Sequence, residues 1–326
     1  MATYKAEVLY QRYRRRLRPA AHYSLGWLPR WARLAARAPG AANAALRTPG
    51  LAALAKRAGG IDARRPLPRF APQTFRAWFA GRPAPEPAAD RTPVLLWVDT
   101  FTDHFTPEVG RAAVRVLEAA GYAVQITGEP VCCGLTWIST GQLDGARRQL
   151  RRSLRALGPA LRAGIPVVGL EPSCTAVLRG DITELLPGDP RARQARDATR
   201  TLAELLTQTP QWTPPDLAGV RAVAQPHCHQ HAVMGWQADS ELLARAGAEV
   251  TAVGGCCGLA GNFGVERGHY DVSVAVAETA LLPAVRAAAG AMVLADGFSC
   301  RTQLDQLAQV PGTHLAQLLA SRLEDR

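Results

Sequence analysis

The chain has 326 residues, 38 Lys and Arg against 27 Asp and Glu for a formal net charge of +11, and seven cysteines. Seven is few for this length and odd in number, and no secretory signal is read ahead of them, which argues against a disulfide scaffold, and a cytoplasmic setting is expected, with peripheral contact at the inner membrane face as the alternative. No apolar run reaches the roughly 18 residues that cross a bilayer, which excludes a membrane-spanning helix.

Residues 1–91 hold 18 Lys and Arg against four Asp and Glu, a net +14, whereas the remainder carries 20 against 23, a net −3. Tyr4 to Arg18 and Leu28 to Arg37 are expected to be basic helices, with Trp27 and Trp31 four residues apart on one face, and Pro66 to Pro87 a Pro-rich connector. Basic amphipathic helices with aromatics suit anionic membranes, basic patches suit nucleic acid, and a mitochondrial presequence has a similar composition.

The remaining chain is a repeat of two blocks. In the first, an apolar run Val94 to Val98 leads into Asp99-Thr100, a helical pattern follows over Glu108 to Gly121, and a second run, Ala123 to Ile126, delivers Cys132-Cys133-Gly134. A basic amphipathic stretch, Leu143 to Gly164, then precedes a buried-looking run, Ile165 to Leu170, that ends in Glu171-Pro172-Ser173-Cys174. The second block runs from Arg221 to Gln225 into Pro226-His227-Cys228-His229, through a helix around Ser240 to Gly247 and a run Val250 to Val253, to Cys256-Cys257-Gly258. A long helix from Val265 to about Ala289 and a run Met292 to Ala295 end in Ser299-Cys300. The Cys pair precedes the next Cys by 41 residues in one block (Cys133 to Cys174) and 43 in the other (Cys257 to Cys300), a spacing that chance does not hold.

Short apolar runs alternating with helical patterns predict βαβ units and parallel sheets covered on both faces. The expected fold is therefore α/β: two pseudo-repeated Rossmann-like lobes, residues 92–215 and 216–326, behind a basic helical extension over residues 1–91. The cysteines fall just past the apolar runs, where open α/β sheets bind ligands, and the two cysteine loops are expected to face one another across a cleft. Adjacent cysteines followed by glycine, in register with further single cysteines, point to metal or redox chemistry. A single buried Cys is commonly only a small hydrophobe, and that reading stays strong for Cys174 alone. Neighbouring side chains diverge, so Cys256 and Cys257 suit two metal atoms of one cluster better than one chelated ion, and Gly254, Gly255 and Gly258 permit unusual dihedrals there. Zinc would instead draw on Cys228 with His227, His229 or His231. These histidines alternate as on a strand or extended loop, and His227 and His229 could hydrogen-bond cluster sulfurs or donate protons. His269 and Glu266, three apart on the expected helix, would share a face and support the site similarly. Glu171 and Asp296, before Cys174 and Cys300, are explained by helix capping or loop hydrogen bonding. No Gly-x-Gly-x-x-Gly follows the first strand and no phosphate loop is present, so no nucleotide or flavin site is expected on this chain.

Asp99-Thr100-Phe101-Thr102, Gly169-Leu170-Glu171-Pro172-Ser173-Cys174, His227-Cys228-His229-Gln230, Cys256-Cys257-Gly258-Leu259-Ala260-Gly261-Asn262-Phe263-Gly264 and Ala295-Asp296-Gly297-Phe298-Ser299-Cys300 cover most of the two lobes. They resemble the tandem cysteine-rich "CCG" domain carried by the B component of heterodisulfide reductase and the C component of anaerobic glycerol-3-phosphate dehydrogenase. More narrowly, the chain is similar to the carboxy-terminal segment of bacterial FAD-linked D-lactate, glycolate and D-2-hydroxyglutarate dehydrogenases, as if it were the tail of such an enzyme made separately. A complete block in this family has five cysteines, one early, the adjacent pair, and a late Cys-x-x-Cys. Here the second block matches at Cys228, Cys256, Cys257 and Cys300 with Gln303 in the fifth place. The first matches at Cys132, Cys133 and Cys174 with Thr100 and Val177 in the outer places. Four thiolates can hold one [4Fe-4S] cluster and three leave an iron short, so the resemblance implies the second lobe as the main site and the first as a weaker one. It also implies an electron-transfer component that relays electrons from an FAD-binding dehydrogenase and a ferredoxin-like module to a quinone or protein acceptor, with no dehydrogenase turnover of its own. The basic extension then reads as an interface for those neighbours, with peripheral membrane contact not favoured and no nucleic-acid partner expected. A thiol-disulfide protein using the vicinal pairs, and a zinc-bound or metal-free interaction module, are the alternatives.

Overall fold

The computed structural model describes residues 2–83, 91–288 and 290–323. Their eight strands form two sheets. In the first, β1 (Thr92–Trp97), β2 (Tyr122–Gln125), β3 (Val167–Gly169) and β4 (Thr199–Thr201) lie in the order β2-β1-β3-β4, every neighbouring pair parallel. The second has β5 (Arg221–Ala224), β6 (Glu249–Ala252), β7 (Met292–Leu294) and β8 (Gly312–Thr313) in the order β6-β5-β7-β8, again all parallel. One topology is thus used twice, and the fold is α/β.

Side-chain alternation explains why the first sheet is covered on both faces. Val94, Leu96 and Val98 point into a cluster with the helix Pro107–Ala119, and Leu95 and Trp97 point into a second cluster with the helix Leu143–Arg162. That second helix turns Leu143, Leu150, Leu154 and Leu157 inward and its arginines outward, the amphipathic spacing that the sequence displays. The first cluster does not stop at the lobe boundary. The last helix, Leu315–Ala320, follows the second sheet but packs on Pro107–Ala119, so its Leu318 and Leu319 complete the core beside Val114 and Leu117.

Several expectations are corrected. The fourth strand of each sheet, β4 and β8, has no counterpart among the expected runs, because Thr199–Thr201 and Gly312–Thr313 are too short and polar to show a periodic signal. The long helix from Val265 is broken: a 3-10 turn, Phe263–Val265, precedes Tyr270–Thr279 and then Leu281–Ala287. The second break falls at Ala280 (φ −147, ψ −52), because Pro283 has no N–H for the Thr279 carbonyl and its ring crowds that carbonyl; Ala289 lies outside the described residues. At the amino end the helix is Ala2–Arg12 rather than Tyr4 to Arg18, while Leu28–Ala35 forms near its expected place. Trp27 and Trp31 part company: Trp27 Nε1 donates to Gln142 Oε1 at 2.9 Å, whereas Trp31 is 46 % exposed. The Pro-rich connector contains the helix Phe75–Gly81, N-capped by Thr74, whose Phe75 is fully buried against Gly110; residues 84–87 of it lie outside the described residues.

The extension wraps the lobes. Its first helix lies against the loop at Gly141, and Ile61 pairs with Glu266 of the second lobe. Tyr4, Leu17, Trp31, Leu34, Leu51 and Leu54, all on this extension, are exposed. No helix among the described residues is long and apolar enough to cross a membrane.

Candidate metal centre at the strand ends

Six of the seven cysteines follow β2, β3, β6 and β7, and the seventh, Cys228, follows β5; all sit at carboxyl ends of parallel strands. Helix starts bring in the single ones: Cys174 is in the first turn of Pro172–Arg179, and Cys300 in that of Phe298–Ala308.

The second set is a continuous run of thiols. Cys256 lies within hydrogen-bonding reach of Cys228 and Cys257, and Cys257 within reach of Cys300. Cys257 and Cys300 are buried, Cys256 is half-buried and Cys228 exposed, so the run extends from the core to the surface. Hydrogen bonds from Cys228 and Cys257, with that of the Gly258 N–H (3.4 Å to Sγ), hold the Cys256 thiol well below its ordinary range. The same bond to Cys256, with burial and charge repulsion, pushes Cys228 up. Hydrogen bonding to Cys256 and Cys300, then burial, pushes Cys257 up. Gly258 has φ +88, and a Cβ there would meet the Ser273 carbonyl oxygen at 2.1 Å, so only glycine turns its N–H to the sulfur in this space.

The first set repeats the geometry. The Gly134 N–H, with φ +84 at its residue, donates to Cys132 Sγ at 3.4 Å, and Cys133 Sγ lies 3.1 Å from Cys174 Sγ. All three are buried. Thr100 Oγ1 donates to Cys132 Sγ at 3.9 Å, so a hydroxyl stands where the second lobe has Cys228. Val177 is fully buried in the apolar cluster and Gln303 is fully buried and hydrogen-bonded to Ser273, so the two other outer places hold packing and amide groups. Cys174 is drawn down by its hydrogen bond to Cys133 but raised further by burial and by Asp99 and Glu171, to about 12.

His227 to His231 is not extended. His231 N donates to His227 O at 3.0 Å, closing a helical turn that continues as the π-type turn Gln230–Met234, because the chain must reverse as it leaves the sheet after Pro226. His227 is buried, accepts the His229 N–H at Nδ1 (3.1 Å), and places Nε2 3.2 Å from Ser299 Oγ; its ring stacks on His229 at 5.2 Å. Burial lowers both imidazoles to about 4, so they are neutral at pH 7. Ligating atoms of His227, Cys228 and His229 lie within 4.8 Å of one another, while His231 is exposed.

Glu266 and His269 are not on a shared helical face, because Tyr270–Thr279 starts only after them. His269 stacks on Phe263 at 4.2 Å and its Nδ1 lies 3.1 Å from Phe263 O and 3.5 Å from Glu266 Oε2, while Asn262 Nδ2 donates to Glu266. Their partners are thus one another and the turn that carries them.

Glu171 and Asp296 cap helices other than their own. Glu171, buried, accepts the Phe298 N–H at 2.7 Å and the Ser173 hydroxyl at 2.7 Å, tying the Cys174 helix start to the Cys300 helix start. Asp296 accepts the Leu315 N–H at 2.8 Å. Phe101 stacks on Phe298 at 4.7 Å, so the seam between the lobes is packed here where an open cleft was expected. Three residues escape sequence reasoning. Asp99 is buried and bonds Phe101 N, Thr102 N and Thr102 Oγ1, and its Asp-Thr helix start is the signal that could have found it. Ser299 and Arg65 give none, because their partners are remote in sequence.

Two parallel α/β lobes, each turning a Cys-Cys-Gly loop toward a further cysteine at the strand ends, define a tandem cysteine-rich protein. The cysteine-rich (CCG) domain family matches residues 99–179. The C component of anaerobic glycerol-3-phosphate dehydrogenase from Escherichia coli (strain K12) is 30 % identical over 271 residues, 81 % of this chain and 67 % of that protein. Lactate utilization protein A of Bacillus velezensis (strain DSM 23117 / BGSC 10A6 / LMG 26770 / FZB42) is 30 % identical over 53 % of this chain and 75 % of its own. D-2-hydroxyglutarate dehydrogenase of Pantoea ananatis (strain AJ13355) is 25 % identical over 95 % of this chain, which spans only 31 % of that enzyme. The chain belongs to the CCG cysteine-rich family that includes these proteins.

Proposed function

We propose that this chain is the iron-sulfur electron-transfer component of an FAD-linked 2-hydroxy-acid dehydrogenase system, with one [4Fe-4S] cluster on Cys228, Cys256, Cys257 and Cys300. The observation that carries the reading is the run of four thiols with no carboxylate among them, one accepting the Gly258 N–H: thiolate is the donor such a cluster takes, and an amide aimed at sulfur stabilises it. Cys132, Cys133 and Cys174 form a second, weaker site, short of one thiol at Thr100.

When bound, the cluster supplies one-electron redox chemistry. The protein's own part is to hold and shield it. Burial of Cys257 and Cys300 excludes water, and exposure of Cys228 gives an edge at which a partner can approach. The dehydrogenase names of the relatives support a dehydrogenase partner that oxidises the substrate; its FAD and a ferredoxin-like module between the two follow from the family resemblance. The acceptor is a quinone or a protein. The basic extension, with its exposed aromatic and aliphatic side chains, is the docking face for these neighbours, in the cytoplasm or at the inner membrane face.

A second reading, zinc on Cys228 with His227 and His229, rests on their mutual reach of 4.8 Å. It costs His227 either the His229 N–H bond at Nδ1 or the Ser299 contact at Nε2, according to which nitrogen binds the ion. Anaerobic purification with iron, sulfide and zinc quantified decides between them. About four iron and four sulfide per chain, lost in Cys257→Ser, supports the cluster. One zinc without acid-labile sulfide refutes it, and a colourless metal-free protein with titratable thiols favours a thiol-disulfide role.

A further inference from the structure

Arg65 belongs to the amino-terminal extension but is buried inside the second lobe, 1 % exposed. Backbone pairing puts it there: Asp62 N donates to Val265 O and Arg267 N to Gly60 O, both at 2.9 Å. From that edge Arg65 Nε donates to Gly264 O (2.7 Å), Nη1 to Gln303 Oε1 and Gln306 Oε1 (both 2.8 Å) and Nη2 to Ser273 Oγ (2.7 Å). Its Cζ lies 4.7 Å from the Tyr270 ring. Every one of these partners is neutral. The nearby carboxylate, Asp62, is bonded by Arg64, whose Nε donates to it at 3.0 Å. A guanidinium taken from water in this way is costly unless an anion compensates it, and arginine does not shed its proton. Of the cysteines, Cys257 is the one whose thiolate charge acts on this guanidinium, behind Tyr270 and Asp62. The groups that grip it also frame the thiols: Ser273 packs on Gly258, and Gln303 follows Cys300 by one helical turn.

We propose that Arg65 is the fixed counter-charge of the second cysteine set, stabilising the extra negative charge that arrives when the site is reduced and so raising its midpoint potential. The proposal rests on the cluster reading above. Arg65 assists a one-electron transfer in which the flavin-bearing component is oxidised and the Cys228, Cys256, Cys257 and Cys300 site is reduced. No bond forms or breaks and no proton moves, since the compensating charge is permanent.

The test is a potentiometric titration of the anaerobically purified chain, followed by paramagnetic resonance, on wild type, Arg65→Gln, Arg65→Met and Arg65→Lys, with Arg64→Gln as control. The neutral variants are expected to keep iron and to show, at a fixed potential, a reduced-to-oxidised ratio about tenfold lower, a midpoint about 59 mV more negative. Arg65→Lys and Arg64→Gln should stay near wild type. Loss of iron from both neutral variants but not from Arg65→Lys also supports a counter-charge, whereas loss from all three assigns Arg65 to packing and overturns it. Unchanged midpoints in iron-replete neutral variants overturn this proposal alone. A wild-type protein without iron and sulfide instead defeats the cluster reading, and the proposal with it.

Discussion

Gly134 and Gly258 occupy the same place in the two cysteine loops, with φ +84 and +88, and each donates its N–H to the first cysteine of its pair at 3.4 Å. Substitution by Ala at either imposes a positive φ on an L-residue, a cost of about 1–2 kcal/mol. The surroundings then diverge. At Gly134 the added Cβ meets the Ala146 carbonyl oxygen at 3.4 Å, an ordinary contact. At Gly258 it meets the Ser273 carbonyl oxygen at 2.1 Å and Ala277 N at 3.2 Å, backbone on the buried edge of the helix Tyr270–Thr279 that cannot give way cheaply. Overpacking of that kind adds about 1–3 kcal/mol, so Gly258→Ala should cost roughly 2–5 kcal/mol against roughly 1–2 for Gly134→Ala. Anaerobic urea denaturation measures both, and iron and sulfide content reports whether the Gly258 amide still faces Cys256. Equal midpoints for the two variants, with the same metal content, would refute the reasoning that the second loop is held by the Ser273 helix.

Gly141→Ala places a Cβ 2.4 Å from Leu9 Cβ and 2.8 Å from Tyr10 N, so it should lift the helix Ala2–Arg12 off the first lobe, seen as faster proteolysis ahead of Arg18 without loss of the core. Glu171→Gln weakens a charge-assisted cap on the Phe298 N–H and should lower stability by about 1–2 kcal/mol in thermal unfolding; an unchanged Tm would show that the tie across the seam carries no energy. Asp181, raised from 3.8 to about 6 by burial and then by Glu184, binds its proton more tightly when folded. Its contribution is therefore present below about pH 4 and lost as pH rises through about 6, roughly 2 kcal/mol after allowance for solvent. Asp181→Asn should remove that part of the slope, and identical pH profiles for the two proteins would contradict it. Cys228→Ser removes an exposed thiol and Cys300→Ser a buried one, and both should abolish the iron signal while leaving the circular dichroism of the fold intact.

How far local sequence carries is visible in particular elements. Val94 to Val98 and Val250 to Val253 announce strands because apolar side chains crowd a short run, and Leu143 to Arg162 announces a helix because its leucines recur on one face. Spacing aligns Cys132 with Cys256 and Cys174 with Cys300, since each block is one local pattern copied in register, and the family resemblance sets Thr100 opposite Cys228. The break in the helix after Val265 is also within reach of the sequence, once Pro283 is weighed above the apolar periodicity around it.

Other features depend on groups remote in the chain. β4 and β8 are strands only because β3 and β7 offer edges to pair with, and nothing in Thr199–Thr201 or Gly312–Thr313 demands that conformation alone. Glu171 caps a helix 127 residues away, and Arg65 reaches Gln303 across 238. By itself, then, the sequence determined the two-block α/β repeat, the strand-end position of the cysteines and the family, because periodicity and spacing are short-range properties. Only the tertiary structure decided which thiols meet, that the lobe seam is packed, and that a buried arginine from the extension is gripped by Ser273 and Gln303 beside the second cysteine set, because burial and partner choice arise when distant segments close on one another.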